Sequence, residues 1–242
     1  MKHFSHVSPC NSIPSLNRID SDGKRFYENE GVYYPSVTTV LGVYQPTVDF
    51  LTEWRKRVGD EEADKVSYVA SERGTRFHDL CEKYLNNDIQ SYKNSFQRYN
   101  IHPDVVEMFL NFRPILDRID NISGLELQLF TKKLKTAGTV DCIGEFDGVR
   151  SVIDFKTSKH IKDEERIKQY FMQVTAYSLM WEELTGEIIN NIVVLIANRV
   201  NKYVNLTYEI THSCSEFVRN RNNYIKPLIE VRKLFKEINE PG

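Results

Sequence analysis

Between Gly138 and Lys156 the chain reads Gly-Thr-Val-Asp-Cys-Ile-Gly-Glu-Phe-Asp-Gly-Val-Arg-Ser-Val-Ile-Asp-Phe-Lys, and no other stretch constrains the fold as tightly. Two strand-like runs flank Asp147-Gly148, a dipeptide suited to a two-residue hairpin turn whose central positions both need positive φ. The second run ends in Asp154-Phe155-Lys156. Side chains two apart on a strand share a face, so Asp154 and Lys156 project together while Phe155 points the other way, into a core. Folding the hairpin brings Asp141 beside that pair. Two carboxylates and an ammonium on one sheet face suit a hard divalent cation and the activation of a water. Surface hairpins also carry Asp-x-Lys as solvated charges on an edge strand, so this stretch alone leaves both readings standing.

Two further segments bear on the choice. Downstream, residues 163–185 predict a helix, with Ile167, Tyr170, Phe171, Val174, Tyr177 and Trp181 near helical spacing. Gln173 and Tyr177 lie four apart and share a face of it. Upstream, Gly74-Thr75-Arg76-Phe77-His78-Asp79-Leu80-Cys81-Glu82 predicts a helix carrying Gly74, His78 and Glu82 along one stripe, with the small Gly74 allowing close approach to the sheet. An amphipathic helix with a buried tyrosine, and a solvated helical histidine, are the plain alternatives. Glu126, in Gly124-Leu125-Glu126-Leu127-Gln128-Leu129, adds an acid on a strand-like run. The order is then His78, Glu126, Asp141, Asp154-x-Lys156 and Gln173-x-x-x-Tyr177, on helix, strand, strand, strand and helix.

Over roughly residues 70–200 this order resembles the RecB-type branch of the PD-(D/E)xK nuclease superfamily. The aromatic hairpin around Glu28-Asn29-Glu30-Gly31, the Pro35-Ser36-Val37-Thr38-Thr39 segment and the Trp54-Arg55 helix resemble, more narrowly, the mitochondrial genome maintenance exonucleases and their phage relatives. One departure is that Val140, and not proline, precedes Asp141. The resemblance implies an α/β fold, a restriction-endonuclease-like mixed central sheet flanked by helices with an N-terminal helical lobe. It implies one domain over 1–242: an N-terminal segment with a hairpin (1–35), a helical lobe carrying His78 (36–120), and the sheet core with closing helices (121–242). It also implies metal-dependent hydrolysis of DNA phosphodiesters from single-stranded ends, in replication, repair or recombination. Mg²⁺ or Mn²⁺ would be held by His78, Asp141, Asp154, the backbone carbonyl of Phe155 and Glu126. Lys156 would orient or deprotonate the attacking water, and Gln173 and Tyr177 would position the lysine, a ligand or the DNA backbone. The rival readings are a structure-selective endonuclease using the same site and a non-catalytic DNA-binding subunit of a recombination assembly. Replication or recombination proteins would be the protein partners.

Composition narrows the setting. At 242 residues and 40% hydrophobic content the chain can bury one sizeable core. No run of about 18 apolar residues exists, so neither a membrane span nor a membrane partner is expected. Met1-Lys2-His3-Phe4-Ser5-His6 has no apolar signal core, which points to the cytoplasm (that of a bacterial host for a phage protein) and leaves an organellar matrix open. A net charge of −2 is unusual for a nucleic-acid enzyme, but a cleft needs only local positive charge. Lys132, Lys133 and Lys135, Arg55, Lys56 and Arg57, and Arg73 and Arg76 are local basic clusters, each equally readable as a solvated face. Tyr33, Tyr34, Tyr44 and Trp54 are stacking or core candidates. Cys10, Cys81, Cys142 and Cys214 are dispersed with no Cys-x-x-Cys pair, which argues against a zinc ribbon. Some RecB-type nucleases hold an iron–sulfur cluster on one early and three late cysteines; with Cys214 alone late, none is expected here.

Along the chain the expectations are an irregular segment over 1–23, helices over 47–58, 60–86 and 104–120, and a polar loop over 87–102. Strands are expected over 123–133, 138–146 and 149–156, then 191–197 and 202–210, with a last helix over 213–238.

Overall fold

The computed structural model describes residues 2–9, 13–89, 102–159, 164–204 and 207–239. An N-terminal antiparallel sheet joins β1 (Asn17–Ser21), β2 (Lys24–Asn29) and β3 (Val32–Pro35) in that order. Helices α1 (Val37–Leu41), α2 (Gln45–Val58), α3 (Asp60–Leu85) and α4 (Pro103–Leu116) follow. Ser36 caps α1, its Oγ accepting from the Thr39 amide at 3.0 Å. The main sheet is five-stranded, in the order β4 (Ile119–Thr131), β5 (Thr136–Phe146), β6 (Val149–Ser158), β7 (Asn191–Val204), β8 (Thr207–Asn220). Helix α5 (Glu164–Thr185) links β6 to β7, and α6 (Asn222–Asn239) follows β8. Every pairing is antiparallel except β6–β7, where the α5 crossover returns the chain in the same direction. The fold is thus mixed α/β, a mixed sheet flanked by helices.

Alternation along the strands builds two cores. Ile153, Phe155, Val193 and Leu195 face α3 and α4, where Phe77, Leu80, Phe109 and Phe112 complete one cluster. Val152, Ile192, Val194 and Ile196 face α5, where Phe171, Met172, Val174 and Trp181 complete the other, closed by Leu228 and Val231 of α6. Helix α5 is buried on most of its circumference because the sheet covers one side and α1 and α6 the rest. The expected hairpin forms, with Phe146 opposite Val149 and a turn at Asp147 (φ 51) and Gly148 (φ 76).

Four expectations are corrected. Residues 1–23 are not irregular throughout. Residues 17–21 form β1, whose side chains are all exposed and which is held by main-chain pairing to β2, so no apolar alternation announces it. The helix expected over 104–120 ends at Leu116, and Ile119 and Asp120 already pair with Phe146 and Glu145. Residues 202–210 are not one strand but the end of β7 and the start of β8, with Tyr203 opposite Tyr208. The last helix starts at Asn222, not 213, because residues 213–220 continue β8 against β7. Of the loop expected over 87–102, residues 90–101 lie outside the described residues, as does Cys10.

Candidate functional site

The β5–β6 ladder ends, on the side away from the turn, at Cys142 opposite Ile153. Just beyond that pair the strands part, and a carboxylate takes the place of a main-chain acceptor: Asp141 Oδ2 accepts from the Phe155 amide at 2.6 Å. The candidate site is built at this opening. Phe155 is buried against α3 and α4, which turns its neighbours Asp154 and Lys156 away from that core. Lys156 Nζ donates to Asp154 Oδ1 at 2.6 Å and lies 2.5 Å from Oδ2. Oδ2 itself is buried, with that ammonium as its polar neighbour among the described residues. The Phe155 carbonyl lies 3.5 Å from Lys156 Nζ.

His78 reaches the opening from α3, where Phe77 and Leu80 anchor the helix in the core. Its Nδ1 stands 3.5 Å from Asp141 Oδ1 and 3.7 Å from Glu126 Oε1. One ligand atom from each of His78, Glu126 and Asp141 lies within 4.8 Å of the others, a group that could hold a metal ion. Gly74, one turn before His78, faces β6, but a methyl there would meet Thr157 Oγ1 at an ordinary 3.8 Å. Close approach of α3 therefore does not require this glycine. Glu126 has φ 45, in the left-handed region, within a strand. That conformation costs a non-glycine residue about 1–3 kcal/mol and persists where surrounding structure imposes it.

Gln173 and Tyr177 approach from α5. Gln173 Nε2 donates to the Tyr177 hydroxyl at 3.0 Å, and both side chains are buried. Tyr177 lies flat against β5 where Gly138 has no side chain; a Cβ there would stand 2.7 Å from Tyr177 Cε1. Tyr170, one turn before Gln173, covers Lys156 with its ring centroid 5.4 Å from Nζ.

Burial shifts these groups, and their charges act against it. Burial alone would depress His78, but Asp141 and Glu126 raise it to about 10. Asp141 is pulled down against its burial by His78, Lys156 and the Phe155 amide. Burial pushes Asp154 up to about 6 despite the pull of Lys156, and the Asp141 charge adds to the rise. Lys156 is raised: its burial opposes the charge, but Asp154 and Asp141 outweigh that and keep it an ammonium.

A cavity of about 500 Å³ joins these residues. His78, Glu126, Asp141, Lys156, Gln173 and Tyr177 all line it, so the structure brings together residues up to 99 positions apart in the chain. Asp154 does not line it; it sits beneath Lys156 with no exposed surface. Sequence reasoning missed four contributors. Tyr170 and Gly138 were legible only as a helix residue and a strand end, although the 170–173–177 spacing marks one face of the helix. Arg18 and Arg25 also line the cavity. The basic clusters singled out from the sequence do not: Lys132, Lys133 and Lys135 stand exposed in the β4–β5 turn, and Arg55 pairs with Asp60 and Asp64. Of the aromatic candidates Tyr34 is core, Tyr33 is exposed, and Tyr44 and Trp54 are half-buried.

No protein-family model matches the chain. It is similar to the Mus musculus protein named mitochondrial genome maintenance exonuclease 1, with 28% identity over 152 residues. The match takes in 59% of this chain and 43% of the mouse protein, so it spans less than half of that relative's length. No helix among the described residues is long and apolar enough to cross a membrane.

Proposed function

We propose that this chain is a metal-dependent nuclease with a restriction-endonuclease-like core that hydrolyses phosphodiester bonds at single-stranded DNA ends. The observation that carries the reading is the convergence of His78, Glu126 and Asp141 on one point beside the Lys156 ammonium. The similarity to a protein named as an exonuclease points the same way.

The donors fit a divalent cation. One imidazole nitrogen with carboxylate oxygens suits Mn²⁺ or Mg²⁺. His78, Glu126 and Asp141 would hold the ion, together with Asp154 and the Phe155 carbonyl. When bound, such a cation stabilises charge on phosphoryl oxygens and acidifies water. Asp141 keeps its place through the Phe155 amide. Lys156, hydrogen-bonded to Asp154, would orient the attacking water or the phosphate oxygen. Tyr170 shields one side of it from solvent, and the Gln173–Tyr177 pair fixes the wall behind it. Single-strand selectivity would rest on exposed rings and apolar side chains of α2 and α3, where Phe50, Leu51, Tyr68 and Val69 offer surface on which unpaired bases can stack.

The test uses end-labelled linear single strands, duplexes and covalently closed single-stranded circles, with Mg²⁺, Mn²⁺ or chelator. Loss of linear single strands alone, abolished by chelator and reduced at least about 100-fold in Lys156→Ala, is the expected result. Cutting of circles or duplexes would make the protein an endonuclease. No cutting with any metal would leave a DNA-binding subunit.

A further inference from the structure

The cavity wall formed by the N-terminal sheet has no part in the chemistry above. Arg18 of β1 and Arg25 of β2 line it, as do Ser36, Thr38 and Thr139. Asp20 is the cross-strand partner of Arg25 and stands two residues from Arg18, so all three side chains share one face. Its carboxylate takes both guanidiniums at once: Arg18 Nε donates to Oδ2 at 2.9 Å and Arg25 Nε to Oδ1 at 3.2 Å. Two cations sharing one anion leave a net positive charge. Each guanidinium has five N–H donors and no acceptor, so most remain free for a ligand. Both side chains are open to solvent, at 46% and 39% exposure.

The backbone beneath them is fixed. The Arg25 carbonyl accepts from Ser36 N at 2.8 Å, and Arg25 N donates to Thr39 Oγ1 at 3.1 Å. Ser36 Oγ is 2.9 Å from Thr38 Oγ1, and Tyr27 OH is 3.0 Å from Thr139 Oγ1. The Pro35-Ser36-Val37-Thr38-Thr39 segment thereby welds β2 to α1 and presents hydroxyls beside the arginines. A planar guanidinium matches phosphate bidentately, and pre-set geometry lowers the ordering cost of binding.

We infer that the Arg18–Asp20–Arg25 cluster binds a second phosphate of the substrate strand while the scissile one lies at His78, Glu126 and Asp141, with Asp20 as the positioning residue. The inference rests on the nuclease reading and assigns the N-terminal sheet to the substrate cleft.

The test compares wild type, Arg18→Gln/Arg25→Gln and Asp20→Asn on labelled single-stranded oligonucleotides carrying one neutral methylphosphonate at successive positions. KM and kcat are measured with Mn²⁺, and binding is measured by anisotropy in chelator. In the double variant KM rises about ten-fold with a smaller change in kcat. The slope of log affinity against log salt becomes shallower by about 0.7, the value for one phosphate contact on a single strand. Wild type is slowed by the neutral linkage at one position, and the double variant loses that sensitivity. Asp20→Asn keeps the charges but loosens them, and gives an intermediate KM. An unchanged Tm and an unchanged Mn²⁺-induced Tm shift exclude misfolding. A double variant with unchanged KM, binding and salt slope overturns the inference and leaves the nuclease reading intact. A wild type that cuts nothing, but whose binding is weakened in the double variant with the same loss of slope, overturns the nuclease reading and keeps the phosphate site. A wild type that neither cuts nor binds overturns both.

Discussion

Glu126 is where backbone and chemistry conflict. Its left-handed φ would suit glycine, yet the position carries a carboxylate 3.7 Å from His78. Glu126→Gly relieves the backbone and removes an acid from beside Asp141, at the entropic cost of a more flexible unfolded chain. Metal-free stability is therefore expected to stay level or rise by up to about 1 kcal/mol. The rise in Tm on adding Mn²⁺ should shrink, both quantities coming from the same thermal melts. A marked loss of metal-free stability would make Glu126 a structural residue. Gly138 is the reverse case: its backbone is ordinary, but Tyr177 occupies the space of a side chain. Gly138→Ala overpacks that contact and should cost about 1–3 kcal/mol in urea unfolding, with a loss of cleavage as Tyr177 and Gln173 shift. Asp141, Asp154, Lys156, Gln173 and Tyr177 could be picked out in the sequence because strand and helix periods put them on shared faces. Tyr170 over Lys156 could not, because only the packing of α5 on the sheet sets which helix face meets β6; Asp20 beside Arg25 had a local signal in the Asp22-Gly23 turn that went unread.

At the scale of elements, α4 is tied to the β7–β8 pair by charge as well as by its apolar face. Arg199 Nε donates to Asp104 Oδ1 at 2.8 Å, His212 Nε2 lies 3.4 Å from the same oxygen, and Arg73 contributes from α3. Burial would raise Asp104, but Arg199, His212 and Arg73 hold it below the usual 3.8. A depressed carboxylate stabilises the fold in full above its unfolded pKa, and that contribution fades as pH falls through the folded value. Asp104→Asn should therefore cost on the order of 1 kcal/mol at pH 5, a penalty that diminishes toward pH 3 in urea titrations of both proteins. A penalty that persists undiminished at pH 3 would show that the contact does not depend on the carboxylate charge. The ends of elements were the least legible part of the sequence. Residues 213–220 have no helix breaker before them, and only pairing with β7 makes them a strand.

For the whole molecule, the site is a meeting of layers: α3 from one face of the sheet, α5 from the other, and the N-terminal sheet closing the cleft. An ion held by His78, Glu126 and Asp141 would bind the folded chain and not the unfolded one. At 100 times its Kd it adds about 2.7 kcal/mol, which for a chain of this size is a Tm rise of about 5–10 °C. Mn²⁺ should produce that rise, chelator should reverse it, and Asp141→Asn should abolish it; an equal rise in Asp141→Asn would place the ion elsewhere. By itself the sequence determined the Asp147-Gly148 hairpin, the pairing of Asp154 with Lys156, the α5 face with Gln173 and Tyr177, and the helix bearing His78. Each of these follows from a local period of two or 3.6 residues and from turn chemistry. Only the tertiary structure decided that β5 and β6 part after Cys142 and Ile153, that Glu126 is forced left-handed, and that Arg18 and Arg25 face the acids across a cavity. Those features arise where separate elements pack, and long-range packing leaves no periodic trace in the chain.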